Sequence, residues 1–139
     1  MRLLLVLLLV AACTPQRPPP PGAAGPVEAA KEFAAAVQRG DAATASQLLS
    51  AQTLREADAA AARARAFAGD AGTGPASGRQ MLFTSALPQG KVSVRKIRQR
   101  SDGDATVEVK DEAGTATQFR MLLEGGSWKV DLSTGRELR

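Results

Sequence analysis

The chain has 139 residues, enough for one small domain once a leader and a spacer are set aside. Its formal charge of +4, or +3 without Arg2, is too small to call for a nucleic-acid partner. His and Tyr are absent and Cys13 is the single cysteine, so an imidazole base, a phenol acid and an intrachain disulfide are all excluded.

Met1 and Arg2 form a short positive end, Leu3 through Val10 is unbroken Leu and Val, and Ala11 and Ala12 lead into Cys13. Charged, apolar and small residues in that order make a secretory leader. The apolar run is far shorter than the roughly 20 residues a membrane-crossing helix needs. Val10-Ala11-Ala12-Cys13 resembles the bacterial lipobox. That resemblance implies cleavage after residue 12, diacylglycerol on the Cys13 sulfur and a further acyl chain on the new amino terminus. Two or more chains anchor a protein stably without crossing the bilayer. Thr14, where Asp would signal inner-membrane retention, implies the outer membrane. Residues 13–25 are then a lipidated cysteine and a tether: Pro15, the run Pro18 to Pro21 and the small residues Gly22 to Gly25 offer nothing large to bury. The twelve residues after Cys13 would reach up to about 35 Å.

Residues 26–139 carry the domain. Pro26 suits the first helical position and Glu28 the first turn. Val27, Ala30, Phe33, Ala34 and Val37 fall on one helical stripe, with Lys31, Glu32 and Gln38 opposite, and Gly40 ends the helix after Arg39. Asp41 caps a short second helix carrying Ala45, Leu48 and Leu49. Thr53-Leu54-Arg55-Glu56 reads as a capping box opening a third helix, with Leu54, Ala57, Ala61, Ala64 and Phe67 facing the core and Gly69 as its stop. Asp70 to Gly78 reads as a loop. The spacing of Met81, Leu82, Phe83, Ala86 and Leu87 fits a short helix better than a strand.

Alternation dominates thereafter. Lys91 to Arg100 starts a sheet in which Val92 and Val94 face inward. Ile97 is out of phase, so a β-bulge is expected near Arg95 and Lys96. Ala105, Val107 and Val109 share one face, as do Phe119, Met121 and Leu123, and then Trp128, Val130 and Leu132, with turns at Asp102-Gly103 and Gly125-Gly126. The expected domain is α+β, its N-terminal helices packed on one face of a curved four-stranded antiparallel meander.

An N-terminal helix ending in Arg39-Gly40-Asp41, a leucine-bearing second helix, and a meander holding Asp102-Gly103-Asp104-Ala105-Thr106-Val107 and closing on Glu124-Gly125-Gly126-Ser127-Trp128-Lys129-Val130-Asp131-Leu132 together resemble the nuclear transport factor 2-like superfamily. The likeness covers Pro26 to Leu132 and is nearest to the small bacterial lipoprotein domains of that group. It implies a cone-shaped interior in which enzymes of the superfamily place Asp, His, Tyr or Arg. The inward set contains no titratable side chain, which points away from catalysis and leaves no catalytic residue, cofactor or metal to nominate. Asp102, Asp104, Asp111 and Glu112 flank turns without calcium-loop spacing. Glu108 and Asp131 fall on the outward, solvated phase.

Two features keep functional readings. Trp128, with Phe119 and Met121, either contacts a small apolar ligand or packs the core. Lys91, Arg95, Lys96, Arg98 and Arg100 either meet an anionic surface or guard a sheet edge against pairing. The expectation is a lipid-anchored envelope lipoprotein, non-enzymatic, acting as a binding or accessory module toward an envelope protein or small apolar ligand. The rival is a small isomerase or hydrolase with Asp58 or Asp70 at the mouth of a pocket.

Overall fold

The computed structural model describes residues 18–69, 74–84 and 90–133. The leader, Cys13 and its lipobox, Asp70, Ala86 and Leu87 lie outside the described residues. Helices α1 (Pro26–Gln38), α2 (Ala42–Gln47), α3 (Ala51–Ala68) and α4 (Gly78–Thr84) precede strands β1 (Ser93–Ser101), β2 (Asp104–Lys110), β3 (Ala116–Glu124) and β4 (Ser127–Asp131). The strands form an antiparallel sheet in the order β1-β2-β3-β4. The α+β class, with helices first and a four-stranded antiparallel meander after them, is the one expected.

Helix α1 lies across all four strands. Pro26 occupies its first turn, and Arg39 caps it ahead of Gly40, whose φ of 69° is cheap only for glycine. Ala30, Phe33 and Ala34 are buried as expected. Ala29 and Ala36 join them while Val27 and Val37 are only half-buried, so the contact stripe is rotated toward the alanines. Small side chains there let the helix approach the sheet closely, and Phe33 fills the remaining gap edge-on to Phe119, ring centroids 6.2 Å apart at 89°. Around this pair Leu48, Val107, Val109, Met121 and Val130 are fully buried.

Asp41 caps α2 by accepting the Thr44 N–H at 3.0 Å, as expected. The cap of α3 differs from the sequence reading. Ser50 caps it, accepting the Thr53 N–H at 3.0 Å, and Thr53 is buried inside the first turn. Both residues match the local pattern for a cap. A hydrogen bond to Asp131, 81 positions away, selects Ser50. The expected stripe on α3 fails at its far end, where Phe67 is 91% exposed. Only Thr53, Ala57 and Ala61 are buried on α3, because α4 covers its first half. Gly78, expected at the end of a loop, begins α4.

The sheet register follows the alternation, with two exceptions. The bulge lies at Ile97, between Lys96 opposite Val107 and Arg98 opposite Thr106, and a second irregularity follows at Arg100. Ile97 is itself the extra residue, so it is not returned to the inner face and is 39% exposed. Leu123 was expected inward but is 44% exposed, because it lies beside the Asp102-Gly103 turn at the end of the sheet, past the reach of α1. Val92, Val94 and Leu132 are partly buried against the core.

Candidate functional site

The two edges of the sheet are treated in opposite ways, and this asymmetry organises the candidate site. On the β4 side the backbone is covered. Val130 N–H donates to the Leu48 carbonyl at 2.7 Å, Ser50 N–H donates to the Val130 carbonyl at 2.9 Å, and Leu49 forms a parallel bridge with Val130. One residue pair along, Trp128 N–H donates to the Gly22 carbonyl at 2.9 Å, and Gly22 N–H donates to Glu32 of α1 at 2.9 Å. The tether reading placed Gly22 in a segment with nothing to pack. It is instead buried and fastened to the last strand and the first helix. Its φ is +82°, and a Cβ there would lie 2.4 Å from the Trp128 carbonyl oxygen, so only glycine fits. The domain's contacts therefore begin ahead of Pro26, and the proline-rich segment joins the fold at the β4 edge.

Beside that edge lies a buried polar node. The Asp131 side chain is 5% exposed, against the solvated position that alternation assigned to it. Its Oδ1 accepts the Ser50 hydroxyl at 2.8 Å and the Thr53 hydroxyl at 3.2 Å, while Thr53 Oγ1 accepts the Leu132 N–H at 2.8 Å. Arg120 lies 3.6 Å from Asp131 Oδ2 and grips Asp104 with two donors, at 2.8 and 3.3 Å. The Asp104 hydrogen bond holds the Arg120 guanidinium above its ordinary pKa. Alternation alone misses this node because the outward face of β4 is covered by the first turn of α3, which Glu124 also holds through the Ala51 N–H at 3.0 Å. No buried side-chain polar atom among the described residues lacks a partner.

Among the described residues the β1 edge is bare by comparison. Lys91, Arg95, Lys96, Arg98 and Arg100 are all exposed. Arg95 donates to Glu108 at 2.7 Å, which lowers the Glu108 carboxyl below its usual range. Lys96 donates to Gln99 at 3.0 Å. No described carboxylate pairs with Arg98 or Arg100.

The other sequence candidates fall as follows. Trp128, Phe119 and Met121 are buried in the core, so packing accounts for them. Asp58 is exposed and accepts the Gly78 N–H at 2.9 Å, which ties α4 to α3. Asp111 accepts the Thr115 N–H at 2.8 Å and shapes the turn between β2 and β3. Shallow clefts remain on the surface. One of about 430 Å³ runs along α3 between Glu56, Ala60, Arg63, Leu82 and Leu132, and another of about 400 Å³ lies between Gln47, Leu54, Arg79, Glu124 and Lys129. Among the described residues no helix is long and apolar enough to cross a membrane. Comparison with protein-family models, curated proteins and solved structures returns no match.

Proposed function

We propose that the protein is a bacterial envelope lipoprotein, anchored through lipid on Cys13 and carrying a non-enzymatic binding or accessory domain on a proline-rich spacer. The observation that carries this reading is the order of the N-terminal segment: a positive end, an apolar run, two alanines and the chain's only cysteine. Its continuation supports the same reading, because the proline-rich stretch ends in a fixed attachment at Gly22 rather than at an unattached helix end. A pull on the lipid would reach the sheet through that attachment.

Binding is favoured over catalysis by how the polar side chains are already spent. Asp131 holds two hydroxyls, Asp104 holds Arg120, and Asp58 holds the start of α4. An acid or base engaged in this way has little freedom to reach a substrate. The nuclear transport factor 2-like reading of the fold is supported by α1 crossing an antiparallel meander that closes on Trp128 and Val130. The α3–α4 pair is where this chain departs from the layout which that resemblance implies. An outer-membrane position is the reading of Thr14.

Fractionation of cells tests the proposal. The native chain is expected with the membranes and released by detergent, whereas Cys13→Ser is expected in the aqueous fraction or retained as uncleaved precursor. A Cys13→Ser protein that has lost its leader and still fractionates with the membranes would overturn the anchored reading.

A further inference from the structure

We infer that the β1 edge of the domain docks on an anionic phospholipid surface, Lys96, Arg98 and Arg100 contacting headgroups and Ile97 reaching between them. This rests on the lipid-anchored reading and adds to it which side of the domain faces the bilayer.

Charge is the first ground. Lys91, Arg95, Lys96, Arg98 and Arg100 are exposed along one strand and its approach, and only Arg95 is ion-paired among the described residues, to Glu108. Geometry is the second. Register shifts at Ile97 and Arg100 interrupt the pairing of β1 with β2, and such bulges add local twist and spoil the edge as a template for a further strand. The bulge leaves Ile97 39% exposed between two cations. An apolar side chain flanked by basic ones suits the headgroup boundary, where the charge meets phosphate and the hydrocarbon enters the interface.

Reach is the third. The spacer joins the fold at the β4 edge, opposite β1, across three strand spacings or about 14 Å of sheet. The eight residue steps from Cys13 to Pro21 extend to at most about 28 Å. A domain resting on β1 therefore keeps its β4 edge within reach of the lipid, and tether and docking face are compatible.

Full-length protein acylated in cells supplies the test, because a lipidated Cys13 has no free thiol and a cysteine introduced by Ser101→Cys at the exposed end of β1 is then labelled alone. With a nitroxide there, in vesicles of phosphatidylcholine or of phosphatidylcholine mixed with phosphatidylglycerol, the label is expected to be shielded from an aqueous relaxation agent only on the anionic vesicles. Shielding should disappear in Lys96→Ser/Arg98→Ser/Arg100→Ser and weaken at high salt. All three side chains are exposed, and an unchanged unfolding midpoint shows that the variant is folded. Equal exposure on both vesicles overturns the inference, whether the cations only guard the edge or meet an acidic protein. A Cys13 that itself takes the label, on protein that does not float with the neutral vesicles, overturns the anchored reading instead. The edge is then judged by cosedimentation of that protein. Binding to anionic vesicles that falls about 100-fold in the triple variant, about five-fold per cation, supports the inference. Binding to neither vesicle overturns it.

Discussion

Asp131 shows how one side chain joins distant parts of the chain. Its carboxylate is nearly buried, and its two hydroxyl donors come from the cap and first turn of α3. Removing it leaves the Thr53 hydroxyl without its acceptor, Ser50 with only Thr53 Oγ1 at 2.9 Å, and Arg120 with Asp104 alone. Charge-assisted hydrogen bonds in such a place contribute roughly 1.5–3 kcal/mol each, with strong coupling between them. Asp131→Ala should therefore lower the unfolding free energy by about 3 kcal/mol in urea, and Asp131→Asn, which keeps a carbonyl oxygen for the hydroxyls, by about half as much. Loss of less than about 0.5 kcal/mol in the alanine variant would show that the node is solvated in solution. Alternation along β4 assigns Asp131 to the outward phase correctly and its environment wrongly. Phase says which face a side chain takes, and only the long-range return of Ser50 to β4 says whether that face is covered. Thr53-Leu54-Arg55-Glu56 was misread as the cap for the same reason: Ser50 is chosen by a partner far along the chain.

At the scale of elements, periodicity carried most of the fold. The strands β2 and β3 follow from alternation between two glycine turns and β4 from alternation after the second, and Asp41 was legible as a cap because its partner Thr44 is local. The bulge in β1 was legible as an extra residue, but not as Ile97, because a phase break says that a residue is surplus and not which one. Phe67 was placed inside because α3 keeps helical spacing to its end, while α4, which packs against α3, spans only seven residues. The α3–α4 contact depends on Gly78, where a Cβ would lie 2.4 Å from both the Ala57 carbonyl carbon and the Asp58 nitrogen. Alanine would gain up to about 1 kcal/mol of helix propensity at that position. Overlap with backbone atoms that cannot swing away costs more, typically about 1–3 kcal/mol. Gly78→Ala is thus expected to speed amide exchange along the first half of α3 while β2 and β3 stay protected, and unchanged exchange at Ala57 and Asp58 would contradict this packing.

The whole molecule is a small sheet with one edge sewn shut and the other left basic. Gly22 and Leu48 to Ser50 close the β4 edge with backbone hydrogen bonds, whereas β1 relies on charge and two irregularities. Composition made the basic strand legible at once. It could not reveal Gly22 as part of the fold, because a glycine after a proline run reads as spacer until Trp128 is found beside it. The proposed anchor would give this asymmetry its meaning, since it would bring a cationic edge to a surface where the anionic groups are lipid. Intact-mass spectrometry of the mature protein, with fragmentation of its amino-terminal peptide, tests that most directly. The account predicts a chain beginning at Cys13 and carrying diacylglycerol on sulfur and an acyl group on nitrogen. A chain beginning elsewhere, or an unmodified thiol at residue 13, would contradict it.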